Sequence, residues 1–321
     1  MSKKGLFFFL ALLLASQSLN AKEGDLPPIA AQDAGYIVKT FDSTFTAAEV
    51  DFKDTRQSGF KWYVGRFFKW KPTPEDYFGT HEDGALLIKT GFGNSNMEIA
   101  TAAKAKGSRN WLGRAFGGGG YFEAELAFDP QDVRKPDRKG WPSFWAMSLE
   151  HLAQLPQKQW EGQGKGYEHF IEVDIFEYLF EDSEEDRYIY SATMHDWHGV
   201  WKQTCPQMGF CDHRLLWKQS KRRVPKGTDF TSYHKYGFLW IPATEKTKGS
   251  AQFFFDSKPI GVLTTWSLYE NQPPSPYKKA WTMGILDRHH LVLALGTGID
   301  QPMRVRSVKV WQKSDDRNWV Q

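Results

Sequence analysis

Cysteine is scarce in this chain: two residues among 321, Cys205 and Cys211, both in the stretch TCPQMGFC. That excludes a scaffold held by several disulfides, and no second cysteine pair or suitably spaced histidine pair completes a zinc site. A close pair flanking Pro and Gly instead predicts one disulfide closing a small loop in an oxidising compartment, with two free thiols as the alternative. Long apolar runs are equally scarce. The exception is the start, MSKKGLFFFLALLLASQSLNA, where Lys3 and Lys4 precede an apolar run from Leu6 to Ala15 and Ala21 offers a small residue for cleavage. The run is too short to span a bilayer and reads as a secretory leader over residues 1–21, although Leu19 is a poor residue at the third position before the cut. The expectation is an exported protein, secreted or periplasmic, with no membrane span.

Charge of one sign is also lacking. Removing Lys3 and Lys4 with the leader leaves 39 basic residues against 38 acidic ones. So balanced a chain gives no basic face for nucleic acid, and the short run Lys221–Arg223 reads as a solvated loop. GGGG at Gly117–Gly120 lacks the Lys-Ser/Thr of a phosphate loop and reads as a turn entering a strand. Amphipathic helices with capping signals are few. Short β-branched and aromatic runs dominate, separated by Gly, Pro, Asp or Lys: Ala85–Thr90, Tyr121–Phe128, Trp141–Leu149, Arg187–Trp197, Tyr233–Ile241, Ala251–Asp256, His289–Leu295 and Met303–Trp311. This is the pattern of an antiparallel β-sandwich, expected as one domain over residues 22–321 and as a monomer.

One run departs from strand periodicity. In HFIEVDIFEYLF, Glu172, Val173, Asp174 and Ile175 alternate acid with apolar, as a half-buried strand does. Phe176 then intrudes, and Glu177 falls on the parity of the apolar face. With 38 acids in 321 residues the spacing alone carries little weight; the neighbours carry more. Val173, Ile175 and Phe176 are residues that bury, so the strand is internal and its acids line either a solvated sheet face or the floor of a cleft. A β-bulge would set Ile175 and Phe176 together against one partner residue and return Glu177 to the face of Glu172 and Asp174. Three clustered carboxylates repel, which raises at least one pKa and separates a proton donor from an ionised partner. Retaining glycoside hydrolysis needs such a pair, a nucleophile and an acid/base about 5–5.5 Å apart.

A second motif, GWPSFWAM, places Trp141 and Trp145 four residues apart, on one face of a strand. Two indoles there could stack on sugar rings; packing in the core is the alternative reading for each. HDWH at 195–198 lies in a strand-like run, where an i, i+3 pair faces opposite ways, so it is no metalloprotease helix.

Together these segments resemble glycoside hydrolase family 16. EVDIFE is similar to its E-x-D-x-x-E strand in the branch with one extra residue before the last acid, the branch of laminarinases, agarases and carrageenases. GWPSFW is similar to its W-P-A-x-W strand, with Ser143 in place of Ala. YHKYGFLWIP followed by FFFDSKPIG resembles its H-x-Y-x-x-x-W-x-P strand and aromatic-Asp-Gly hairpin, with Ser257 where Gly is usual. HHLVLALGTG and MRVRSVKVW resemble its closing strands. The resemblance runs from Tyr121 to Trp311 and covers the earlier segment weakly. It implies a β-jelly roll of two curved antiparallel sheets with an open concave cleft for a polysaccharide. It implies Glu172 as nucleophile, Glu177 as general acid/base, Asp174 tuning the proton between them, and Trp141 and Trp145 lining the substrate. His195 resembles a family histidine near the acids, with His198 its rival and structural packing the alternative for either. No cofactor is implied; some relatives carry a structural calcium, but no cluster in the sequence identifies one. The expected activity is retaining hydrolysis of β-1,3-glucan, with a red-algal galactan as the next substrate. A transglycosylase with the same acids, or a non-catalytic carbohydrate-binding protein on the same fold, is the alternative.

Overall fold

The computed structural model describes residues 26–64, 78–88, 98–133, 141–153, 167–178, 186–201, 210–211, 216–218, 221–268, 283–297 and 303–320. The expected leader and Cys205 lie outside the described residues, as does the side chain of Cys211, and with them the expected disulfide. Two large sheets make up the fold, as the strand spacing predicts. The first runs in the order Lys258–Trp266, Gly249–Phe255, His234–Ile241, Gly120–Ala127, Met303–Gln312, Leu86–Ile88, Phe78–Thr80, with Val38–Ser43 also paired to Met303–Gln312. The second runs Phe210–Cys211, Ile189–Trp201, Tyr167–Glu177, Trp141–Ser148, Leu291–Thr297, Ile99–Ala100, Trp62–Val64, Val50–Asp51. Pairing is antiparallel throughout except between Val50–Asp51 and Trp62–Val64. The architecture is an all-β, jelly-roll-like sandwich. Among the described residues no helix is long and apolar enough to cross a membrane.

The core lies between the sheets, and alternation puts it there. Phe122, Ala124 and Leu126 point inward from the first sheet, and Ile171, Val173 and Ile175 do so from the second. Phe176 reaches across to Tyr236, with ring centroids 4.2 Å apart, and Tyr178 meets Phe128 at 4.6 Å. Full burial of each such side chain is worth roughly 1.5–3 kcal/mol, so the inward parity of every strand is strongly specified. The Gly117–Gly120 run is the turn that enters the Gly120–Ala127 strand. Gly119 has φ +87°, and a Cβ there would lie 2.4 Å from the Tyr36 hydroxyl and 2.5 Å from Pro242. Only glycine fits that approach.

Asp287 closes one end of the sandwich. Its carboxylate accepts from the Trp240 indole at 2.9 Å, the Trp266 indole at 2.8 Å and the Ala243 amide at 2.9 Å. Asp287→Ala would strand three donors, a cost of about 3 kcal/mol. Urea unfolding should show that loss with an unchanged m-value; a shift near zero would mean that the three bonds contribute nothing net.

The second sheet also carries a smaller apolar cluster on the face turned away from the core: Ala100, Trp145, Met147, Phe170, Val292 and Ala294. A three-stranded sheet, Ala102–Lys104, Trp111–Ala115 and Trp319–Val320, contributes Ala102, Ala115, Trp111 and Trp319 to the same cluster. The acids stand on this outward face, beside it.

Candidate active site

The off-register acid is resolved by a bulge in Tyr167–Glu177. Against Trp141–Ser148, Phe176 pairs with Phe144 and Asp174 with Trp145, which leaves Ile175 over. On the other side Asp174 pairs with Thr193 and Glu177 with Ser191, so that Ile175 and Phe176 together face Ala192. Both apolar residues enter the core, 1 % and 0 % exposed. A regular strand would have to turn one of them outward and bury Glu177 in its place. The bulge avoids both costs and sets Glu172, Asp174 and Glu177 on one outward face.

Each acid has a partner suited to it. The Trp197 indole N–H donates to Glu172 Oε2 at 2.7 Å, and the Trp141 indole N–H donates to Glu177 Oε1 at 2.6 Å. His195 Nε2 lies 2.6 Å from Asp174 Oδ2. Asp174 and Glu177 also hydrogen-bond each other. Asp174 is buried between Glu172 and Glu177, which are half-buried. Burial drives all three carboxyls upward. Glu177 reaches about 8, through burial first and the Asp174 charge second, with the Trp141 N–H and His195 opposing. Asp174 is held well above the ordinary carboxylate range by burial and by the charge of Glu172. Burial also raises Glu172, but His195 and the Trp197 N–H pull against it. The arrangement therefore stores a proton in the Asp174–Glu177 pair beside Glu172, the acid with the stronger support for a negative charge.

Ligand atoms of Asp174, Glu177 and His195 lie within 4.8 Å of one another, the one such grouping among the described residues. Their mutual bonds already match donor to acceptor, so the geometry suits proton sharing.

The sequence-predicted residues divide. Glu172, Asp174, Glu177, Trp141 and His195 come together. Trp141 does so as a hydrogen-bond donor to Glu177, a role beyond the platform expected of it. Trp145 shares the face but is 3 % exposed, its N–H donating to the Gly296 carbonyl at 3.1 Å. It packs in the outward apolar cluster and offers no open ring face. The side chain of His198 lies outside the described residues. Trp197 was missed. It stands two residues after His195, hence on the same face, and that parity was the signal available. Trp197→Phe keeps the ring and removes the donor to Glu172. If Glu172 must be ionised to act, this variant should lose about tenfold in kcat with little change in KM; a change confined to KM would place Trp197 in substrate binding instead.

Neither a protein-family model nor a curated protein matches the chain. Among solved structures, an endo-1,3-beta-glucanase from Streptomyces sioyaensis is similar at 17 % identity, over 88 % of this chain and 97 % of its own, with a TM-score of 0.47. LamA from Z. galactanivorans, solved with laminaritriose and laminaritetraose, is similar at 14 % identity over 72 % and 79 %, TM-score 0.37. A beta-agarase B bound to agaro-octaose is similar at 12 % identity over 77 % and 80 %, TM-score 0.36.

Proposed function

We propose that this protein is a secreted retaining endo-β-glycanase. The observation that carries the reading is the bulge at Ile175, which aligns three partnered carboxyls on one outward face. Glu172 attacks the anomeric carbon and forms a glycosyl-enzyme ester while the glycosidic C–O bond breaks. Glu177 gives its proton to the departing oxygen. Glu177, now a carboxylate, takes a proton from water, whose oxygen displaces Glu172 from the same carbon; two inversions give net retention. Asp174 hands negative charge to and from Glu177 through their shared hydrogen bond, and His195 anchors Asp174. The Trp141 indole, half-buried and bonded to Glu177, lines the donor side of the site.

The substrate proposed is a β-1,3-glucan. The balanced charge of the chain favours a neutral polymer over a heavily sulfated one, which would call for a cleft lined with Arg and Lys. The test is reducing-end release by the purified protein from laminarin, mixed-linkage β-glucan, agarose, porphyran and κ-carrageenan, with Glu172→Gln as control. Release from laminarin alone, absent in the control, supports the reading in full. Release from a galactan keeps the mechanism and replaces the substrate. No release from any, together with binding on a glycan array, would overturn the enzyme reading in favour of a carbohydrate-binding protein.

A further inference from the structure

A second cleft, of about 540 Å³, opens where the Val38–Ser43 strand, the loop before Trp62 and the Trp111–Ala115 strand meet. Its lining includes three cations, Lys39, Lys61 and Arg114, against one acid, Asp42. Glu49, paired with Lys61 just outside the lining, brings the local excess to one positive charge. Tyr63 forms its floor, fully buried, and its outward parity on the second sheet matches that of Ala100, the residue it pairs with in the outward cluster. Tyr63 lies four strands from the acids along the strand order, or roughly 19 Å at the usual spacing. The cleft is therefore distinct from the catalytic face just described.

Its construction is specific. Gly113, at φ +97°, brings the Trp111–Ala115 strand over Tyr63 so closely that a Cβ would lie 2.9 Å from the ring. Gly59, at φ +112°, has open space where its side chain would be. Phe60 meets Tyr63 edge-on, with ring centroids 6.1 Å apart, and Val320, 59 % exposed, also lines the cleft. The cations are held in place. Lys61 donates at 2.5 Å to both the Asp42 carbonyl and Glu49, Lys39 pairs with Asp42 at 2.6 Å, and Arg114 donates to the Thr40 carbonyl. A guanidinium carries five N–H donors, and the bond to Thr40 uses one. Thus the cleft sets apolar side chains, Phe60 and Val320, beside fixed cations, Lys61 next to Phe60 in sequence and Arg114 paired with Val320 across the strands. A sugar unit bearing an anionic substituent offers a group for each: C–H groups for the apolar side chains, a sulfate or carboxylate for the cations.

We propose that this cleft binds an anionic sugar residue, either a sulfate ester or a uronate, as an anchoring site separate from catalysis. The test is amide chemical-shift mapping with galactose 6-sulfate, glucuronate, galactose and inorganic sulfate as probes. None has a glycosidic bond, so the result is independent of the proposed hydrolysis. One of the two anionic sugars should shift Phe60, Lys61 and Arg114 saturably, more weakly as salt rises, and which one does so names the substituent. Ser58→Trp, a substitution at an exposed position of the lining, should block the cleft and abolish binding; Lys39→Glu should weaken it about tenfold. The unperturbed amide spectrum elsewhere serves as the folding check, and Lys39→Glu alone decides if Ser58→Trp does not fold. No shift with either anionic sugar overturns the proposal. So do equal affinity for galactose, equal affinity for inorganic sulfate, or unchanged binding in the folded variants.

Discussion

Glu172→Ala should lose at least on the order of 10⁴-fold in turnover, and azide should restore part of it as a glycosyl azide of inverted configuration. The two sides of the sugar ring dictate this outcome. With the Glu172 carboxylate gone, azide enters the space it left and attacks the anomeric carbon of an activated aryl β-glycoside. One C–N bond forms as the C–O bond to the phenolate breaks, giving an α-glycosyl azide in a single inversion. Glu177→Ala should behave differently on the same compound. Phenolate leaves without a proton, so the glycosyl-enzyme still forms on Glu172, and azide then displaces it to give the β-anomer. The anomeric configuration, read by proton NMR, separates nucleophile from acid/base without relying on rates. Azide products of the opposite configuration in the two variants would exchange the roles. Full turnover in Glu172→Ala would remove this acid from the mechanism.

Much of this site was legible because a parity break in a strand has one economical explanation. Ile175 and Phe176 are adjacent and both must bury, so the chain has to gain a residue there, and the acid that follows is re-aimed. The same signal stands in MRVRSVKV, where Met303 and Val305 give way to Val308 and Val310. There Arg306 is left over between Val305, paired with Leu126, and Ser307, paired with Glu125. It points outward and meets Glu125 at 2.8 Å. The roles of the tryptophans were less legible. Composition favours sugar stacking for indoles in a β-protein rich in tryptophan, but whether a given indole is open depends on what covers the sheet. Here Ala102, Ala115 and Trp319, from segments distant in sequence, share the outward cluster that holds Trp145. The strands before Tyr121 were also missed, apart from the run at Ala85. Several span two or three residues, too few to show alternation, and Lys258–Trp266 is a mostly exposed edge strand with little inward pattern to read.

The site should also cost the fold stability in a way that depends on pH, and Asp174→Asn tests that together with the proton-sharing role. Glu177 rises to about 8 in the folded protein, above the ordinary range it has when unfolded. A carboxyl raised on folding contributes nothing adverse at pH values below its unfolded pKa, where both states are protonated. As pH climbs from the ordinary carboxylate range towards 8, the unfolded chain releases its proton first, and the folded state is penalised progressively. Asp174, raised further by burial and by Glu172, adds to the same penalty. Asparagine removes one of the carboxyls and, with it, the second cause of the Glu177 shift, leaving burial as the first. The urea midpoint of the wild type should therefore fall between pH 5 and pH 8, and that of Asp174→Asn should fall less. On the activity side Glu177 acts in its protonated form, so the rate falls as pH passes its pKa. The alkaline limb of kcat/KM should lie near pH 8 in the wild type and at lower pH in Asp174→Asn, with a maximum reduced about 10²-fold by the lost proton relay. A parallel drop in activity at every pH, with an unmoved limb and an unchanged stability slope, would show that Asp174 only holds His195 in place. A moved limb with a flattened stability slope would show that the carboxylate which strains the fold is the one that poises Glu177 to donate its proton.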